Sequence, residues 1–200
     1  KHIKHIKHIK HIKLIKHIKL IKMKKTLLLF SLFICFVNCD KDILDKLTQF
    51  DIDNQSEFTI ASTTIINTPI SLDTPDVTSN SSSEFSNNNT NANLVESIKL
   101  KHLKLNILSP SDADFNFLKS IQIFINADGL EEIEIAKLED LENLNLTVLD
   151  LESTGVELKE YIKKDSYSLR VSTVTDETIA QDYEIQANSS FRVDAKILGI

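Results

Sequence analysis

Beyond residue 39 the chain contains no cysteine, and nowhere does it contain tryptophan. Cys35 and Cys39 are the only thiols, so the body that follows must be held by packing rather than by disulfides. Glycine is nearly as scarce. Gly129, Gly155 and Gly199 are too few and too scattered to form a phosphate-cradling loop, and no Gly-x-Ser-x-Gly elbow occurs. His102 is the single histidine after Cys39, which leaves neither a base constellation for nucleophilic catalysis nor a Cys/His cluster for zinc. No catalytic residue, metal site or cofactor is assigned, and the chain is not read as an enzyme.

Acidic residues are missing from the first 39 positions. All 29 Asp and Glu lie after Cys39, whereas ten of the 23 Lys and Arg precede it, so the part from Cys39 onward carries a net charge of −16. Such a surface excludes nucleic acid as a partner, because phosphate binding needs a basic face. It is repelled equally by anionic lipid.

Residues 1–22 repeat Lys-His-Ile or a near variant. A period of three matches neither helix nor strand, so no buried face results. The only methionine, Met23, opens the pattern MKK followed by an apolar run from Thr26 to Val37. The repeat therefore reads as translated upstream sequence, and 23–38 as a signal peptide, its core too short for a permanent span. The run ends in Phe36-Val37-Asn38-Cys39-Asp40.

Residues 39–57 are expected to be a tether, and 58–200 a domain that includes a flexible Ser/Asn-rich segment at 78–93. Phe58–Ala61 and Thr64–Ile66 look strand-like, with Pro69 and Pro75 as edge or turn marks. From Leu94 the period is two. Ile98 and Leu100 are out of phase with Leu103, Leu105 and Ile107, which predicts a bulge near Lys101–His102. Further alternating sets are Ile121/Ile123/Ile125, Ile133/Ile135 after the Asp128-Gly129 turn, Leu144/Leu146/Val148, Tyr167/Leu169/Val171, and Tyr183 through Ile197. Residues 156–162 suggest a short helix crossing between sheets. The fold class is mainly β: an antiparallel β-sandwich, immunoglobulin-like in architecture, with one short crossover helix.

Three acidic or amide-rich patches suit calcium in ligand chemistry alone: Asp51-Ile52-Asp53-Asn54, Asp112-Ala113-Asp114, and Glu139-Asp140 with Glu142. None has a complete calcium-loop pattern, and no metal site is assigned. Sugar recognition favours exposed aromatic rings, for which the body offers Tyr161, Tyr167 and Tyr183.

The lipobox-like Cys39, the acidic CDKD start, and the runs SIQIFINADGLEEIEIA and VELKEYIKKDSYSLRVSTVTDETIAQDYEIQANSSFRVDAKIL together resemble envelope lipoproteins of the Bacteroidota. Those lipoproteins prefer Gly, Ala or Ser where this chain has Asn38. The resemblance implies acylation of Cys39, export to the cell envelope, and attachment to the outer membrane on its periplasmic or surface face. It implies no activity. The expected role is a membrane-anchored, non-enzymatic interaction or structural module with a protein or glycan partner. The runner-up is a glycan- or lipid-binding lipoprotein accessory to an uptake system. An enclosed apolar cavity would favour the second, and flat polar faces the first.

Overall fold

The computed structural model describes residues 48–141 and 145–196. The expected signal peptide, the repeat, Cys39, Glu142, Leu144 and Ile197 lie outside them. Two antiparallel sheets pack face to face. The first has four strands in the order β1 (Gln49–Ile60), β10 (Tyr183–Ala195), β4 (Val95–Ser109) and β7 (Val148–Asp150). In the second, β9 (Ser166–Thr175) is followed by β5 (Leu118–Asn126), β6 (Ile133–Leu138) and β8 (Glu152–Ser153). On the other side of β9, β2 (Ile70–Asp73) and β3 (Val77–Thr78) pair one after the other.

Alternation decides which face of each strand is buried. Ile121, Ile123 and Ile125 on β5, Leu169 and Val171 on β9, and Ile185, Phe191 and Val193 on β10 all fill the space between the sheets. Tyr167 of β9 meets Phe191 of β10 edge-on at 5.9 Å, joining the two sheets through their aromatic rings. The bulge in β4 falls where the alternation breaks. Leu103 pairs with Ser189 and Leu100 with Phe191, so four residues of β4 span three of β10 and Lys101 is the extra one. Leu100 and Leu103 both stay buried, while Lys101 and His102 are exposed. Gly129 takes φ +74° in the turn after β5, a left-handed conformation that suits glycine.

Five expectations are corrected. The segment 49–57 belongs to β1, paired residue for residue with β10 from Gln49↔Asp194 to Ile60↔Tyr183, and is not part of a tether. Its inward positions include Asn54 and Ser56, which interrupt the apolar signal of Ile52, Phe58 and Ile60.

The 78–93 segment is ordered. It carries helix α1 (Ser81–Asn87), whose Phe85 is buried and packs edge-on against Phe50 at 6.2 Å. Thr90 Oγ1 donates to the Lys196 carbonyl at 2.7 Å, and the Ser79 N–H to that of Asp165 at 2.9 Å. One aromatic anchor and a few long-range hydrogen bonds order a stretch whose average composition is that of a linker.

Thr64–Ile66 belongs to an irregular connection rather than a strand, with Ile65 69% exposed. In β7 the inward residue is Leu149, paired with Leu105, so Leu146 and Val148 point outward, opposite to the expected phase. The helix at 156–162 shortens to α2 (Lys159–Ile162) and links β8 to β9, two strands of one sheet, instead of crossing between sheets. It is seated by the Leu158 N–H, which donates to the Ile98 carbonyl at 2.8 Å.

Candidate interaction surface

The two lateral sides of the sandwich differ. On one, the edges are the three-residue β7 and the two-residue β8, and the chain steps directly from one sheet to the other through Leu151. The Leu151 N–H donates to the Leu103 carbonyl, and Ser153 Oγ to that of Leu100 at 3.0 Å. Short edges tied down in this way offer little to a further strand. On the other side β1 runs for twelve residues, and among the described residues only β10 pairs with it. Among the described residues, a row of outward backbone donors and acceptors is therefore left without strand partners along its far edge.

Beside that edge, the second sheet is interrupted between β2 and β3. Thr74 bridges the break: its N–H donates to the Leu169 carbonyl at 2.8 Å, and its hydroxyl accepts from the Leu169 N–H at 2.9 Å. Pro75 and Asp76 are thereby pushed outward. The Asn54 amide reaches across the seam and, with its nitrogen turned toward β3, donates to the Thr78 carbonyl at 3.2 Å.

Between β1 and this interruption lie two adjoining hollows. One, of about 350 Å³, is lined by Gln55, Ser56, Glu57, Pro75, Asp76 and Val77. The next, of about 370 Å³, shares Gln55, Asp76 and Val77 and adds Asp53 and Asn80. On the far side of Asp76 a third, of about 400 Å³, extends to Asp128 of the β5–β6 turn and to Ser166 and Ser168 of β9. Asp53, Glu57, Asp76 and Asp128 give these walls one sign of charge, and the linings contain no Lys or Arg. Ser56 is 9% exposed, and its hydroxyl has no hydrogen-bond partner among the described residues.

The outer faces of both sheets carry compensated charge. Asp51 accepts from Arg192 and from Lys101 Nζ, the latter at 2.6 Å. Burial opposes its ionisation, but these two cations outweigh that and hold its carboxyl below the usual aspartate value. Arg170 forks onto Glu132 at 2.7–3.0 Å and lies 4.1 Å from the Phe124 ring centroid. The hydrogen bonds from Arg170 lower the Glu132 pKa.

The acidic patches singled out from the sequence do not converge. Asp51 is committed to its cations, Asp53 is exposed and Asn54 faces inward. Asp114 Oδ1 caps the Asn116 N–H at 3.0 Å, and Glu139 receives Lys137 Nζ at 2.9 Å. Among the described residues no three His, Cys, Asp or Glu side chains gather as metal ligands. His102 sits exposed on the β4 bulge. Two of the three tyrosines are internal: Tyr167 is buried, with burial pushing its hydroxyl up to about 12, and Tyr161 donates its hydroxyl to the Glu131 carbonyl. Tyr183 is half-buried against Phe117 at 4.4 Å.

The seam residues Gln55, Glu57 and Asp76 were not singled out by the sequence reading. The signal for Gln55 and Glu57 was the polar alternation Asp51, Asp53, Gln55, Glu57, inside the segment expected to be a tether, and Asp76 had none beyond the neighbouring Pro75 turn mark.

No protein-family model and no curated protein matches the chain. Among solved structures, the crystal structure of FLHE is 7% identical over 74% of this chain and 98% of its own, with a TM-score of 0.33. A structure of Desmodium yellow mottle tymovirus is 14% identical over 76% of this chain and 85% of its own, with a TM-score of 0.28. Likenesses at these scores carry no functional argument.

Proposed function

We propose that the chain is an envelope lipoprotein, anchored through acylated Cys39, whose β-sandwich acts as a non-enzymatic protein-interaction module. The observation that carries the interaction reading is the twelve-residue open edge of β1, set against an opposite side blunted by two- and three-residue strands. Natural sandwiches protect long edges, because an open one recruits further strands. An edge left this long suits recruitment as a purpose. The interior supports the same choice over the glycan- or lipid-binding alternative. The space between the sheets is taken up by Phe115, Phe191, Tyr167 and the β5 isoleucines, and the hollows at the surface are open rather than enclosed.

Anchoring rests on Cys39 and the apolar run before it. Each methylene of an attached acyl chain that is buried in a bilayer contributes about 0.8 kcal/mol, so two or more chains hold an acidic body that has no attraction to anionic lipid. Metabolic labelling with a clickable fatty acid should mark the wild-type protein in the membrane fraction. Cys39→Ser should lose both the label and the membrane association while its thermal melting stays unchanged. Wild-type protein that is processed yet takes up no label overturns the lipoprotein reading.

A further inference from the structure

We propose that the open edge of β1 binds an extended segment of a partner protein bearing lysine or arginine at alternate positions, which joins the first sheet as a fifth strand. The inference rests on the interaction reading above and names the partner's chemistry. Its first support is the edge itself: main-chain groups of β1 that face away from β10 are supplied with partners by an added strand, the basis of affinity in β-augmentation.

Charge supplies the second. Along the docking side stand Asp53, Glu57 and Asp76, whereas Asp51, the remaining acid of β1, is already neutralised by Arg192 and Lys101. Residues two apart on an added strand face the same way, so a repeat of alternate cations would place successive charges along this acidic row. The two hollows flanking Gln55 leave room beside the edge for an added strand, and the buried Ser56 hydroxyl, on the inward face and without a partner among the described residues, lies in the lining of one of them.

The same charges argue against a second copy as the occupant. Antiparallel self-pairing of β1 in the registers that retain most of the strand sets Asp51 or Asp53 opposite Glu57, and like charges directly opposed destabilise a sheet. The edge is thus closed to itself and open to a basic strand.

The test uses the full chain in mild detergent and a fluorescent nine-residue peptide alternating lysine and valine. Comparators replace every lysine by glutamate or place proline at the centre. The lysine peptide should bind and weaken as salt rises, while the glutamate and proline peptides should bind at least about tenfold more weakly. At saturation, amide hydrogen exchange should slow across residues 49–60. The Asp53→Lys/Glu57→Lys double variant should keep its melting temperature and lose at least about tenfold in affinity.

Failure of the lysine peptide to bind at concentrations up to about 1 mM overturns the proposal. So does equal binding by the double variant, or slowed exchange at the β7 edge instead of β1. None of these outcomes touches fatty-acid labelling of Cys39, so failure of the edge and failure of the anchoring can be told apart.

Discussion

Glu157 illustrates how a single exposed side chain fastens an irregular segment. Its carboxylate accepts from the Ile98 N–H at 2.8 Å, from Ser97 Oγ at 2.7 Å and from the Lys159 N–H at 3.0 Å, binding the chain ahead of α2 to the start of β4. Desolvation pushes its pKa upward, but these hydrogen bonds outweigh it and leave the group below glutamate's ordinary 4.5. A carboxyl depressed in the folded state adds stability that is fully present above its unfolded value and is lost as pH falls through the folded one. Because Glu157 is solvent-exposed, the contribution is modest. Glu157→Gln should cost roughly 0.5–1.5 kcal/mol in urea unfolding at neutral pH, and less at an acidic pH below the ordinary glutamate range, where the carboxylate is being protonated. An equal cost at both pH values would show that the charge has no part in the interaction.

For whole elements the instructive case is β4. Its fifteen residues keep Ile98, Leu100, Leu103 and Leu105 buried only because Lys101 is an extra residue against β10. Removing that residue restores regular alternation, Leu100-His102-Leu103, and leaves Leu100, Leu103 and Leu105 facing inward. Deleting Lys101 should therefore cost no more than about 2 kcal/mol, chiefly through the lost pair with Asp51. Deleting Lys104, three residues on, offers no such relief. It sets Leu103 beside Leu105 and turns one flank of the strand over, which should cost more than about 4 kcal/mol or prevent folding. Comparing the two deletions by urea unfolding decides the matter: similar losses would mean that the bulge does not set the register.

Taken whole, the body from Cys39 onward carries 29 acidic against 13 basic side chains. Paired faces such as Asp51 with Arg192 and Glu132 with Arg170 relieve part of this, but the seam remains of one sign. Self-repulsion over distances beyond a Debye length is screened by salt, whereas close, ordered pairs are screened less. Raising NaCl from about 10 mM to about 150 mM should therefore raise the melting temperature by a few degrees. A fall would show that the surface ion pairs outweigh the net repulsion.

Strand phase was legible in the amino-acid order where several apolar positions alternate on one buried face, and not in the three-residue β7, where Leu149 is the single inward position. The isoleucines of β5, the β4 bulge and the Asp128-Gly129 turn each follow from local alternation and local backbone need, which no distant residue has to supply. Where inward positions are polar, or one aromatic anchors a polar stretch, the pattern fell silent. Asn54 and Ser56 are inward only because β10 pairs with β1 across more than a hundred intervening residues, and α1 is ordered by Phe85 meeting Phe50 and by Thr90 reaching Lys196. The open edge is of the same kind. Composition alone determines that the body is acidic and disulfide-free, but whether a strand lies at an edge depends on which strands pair with it, and only the tertiary structure decides that.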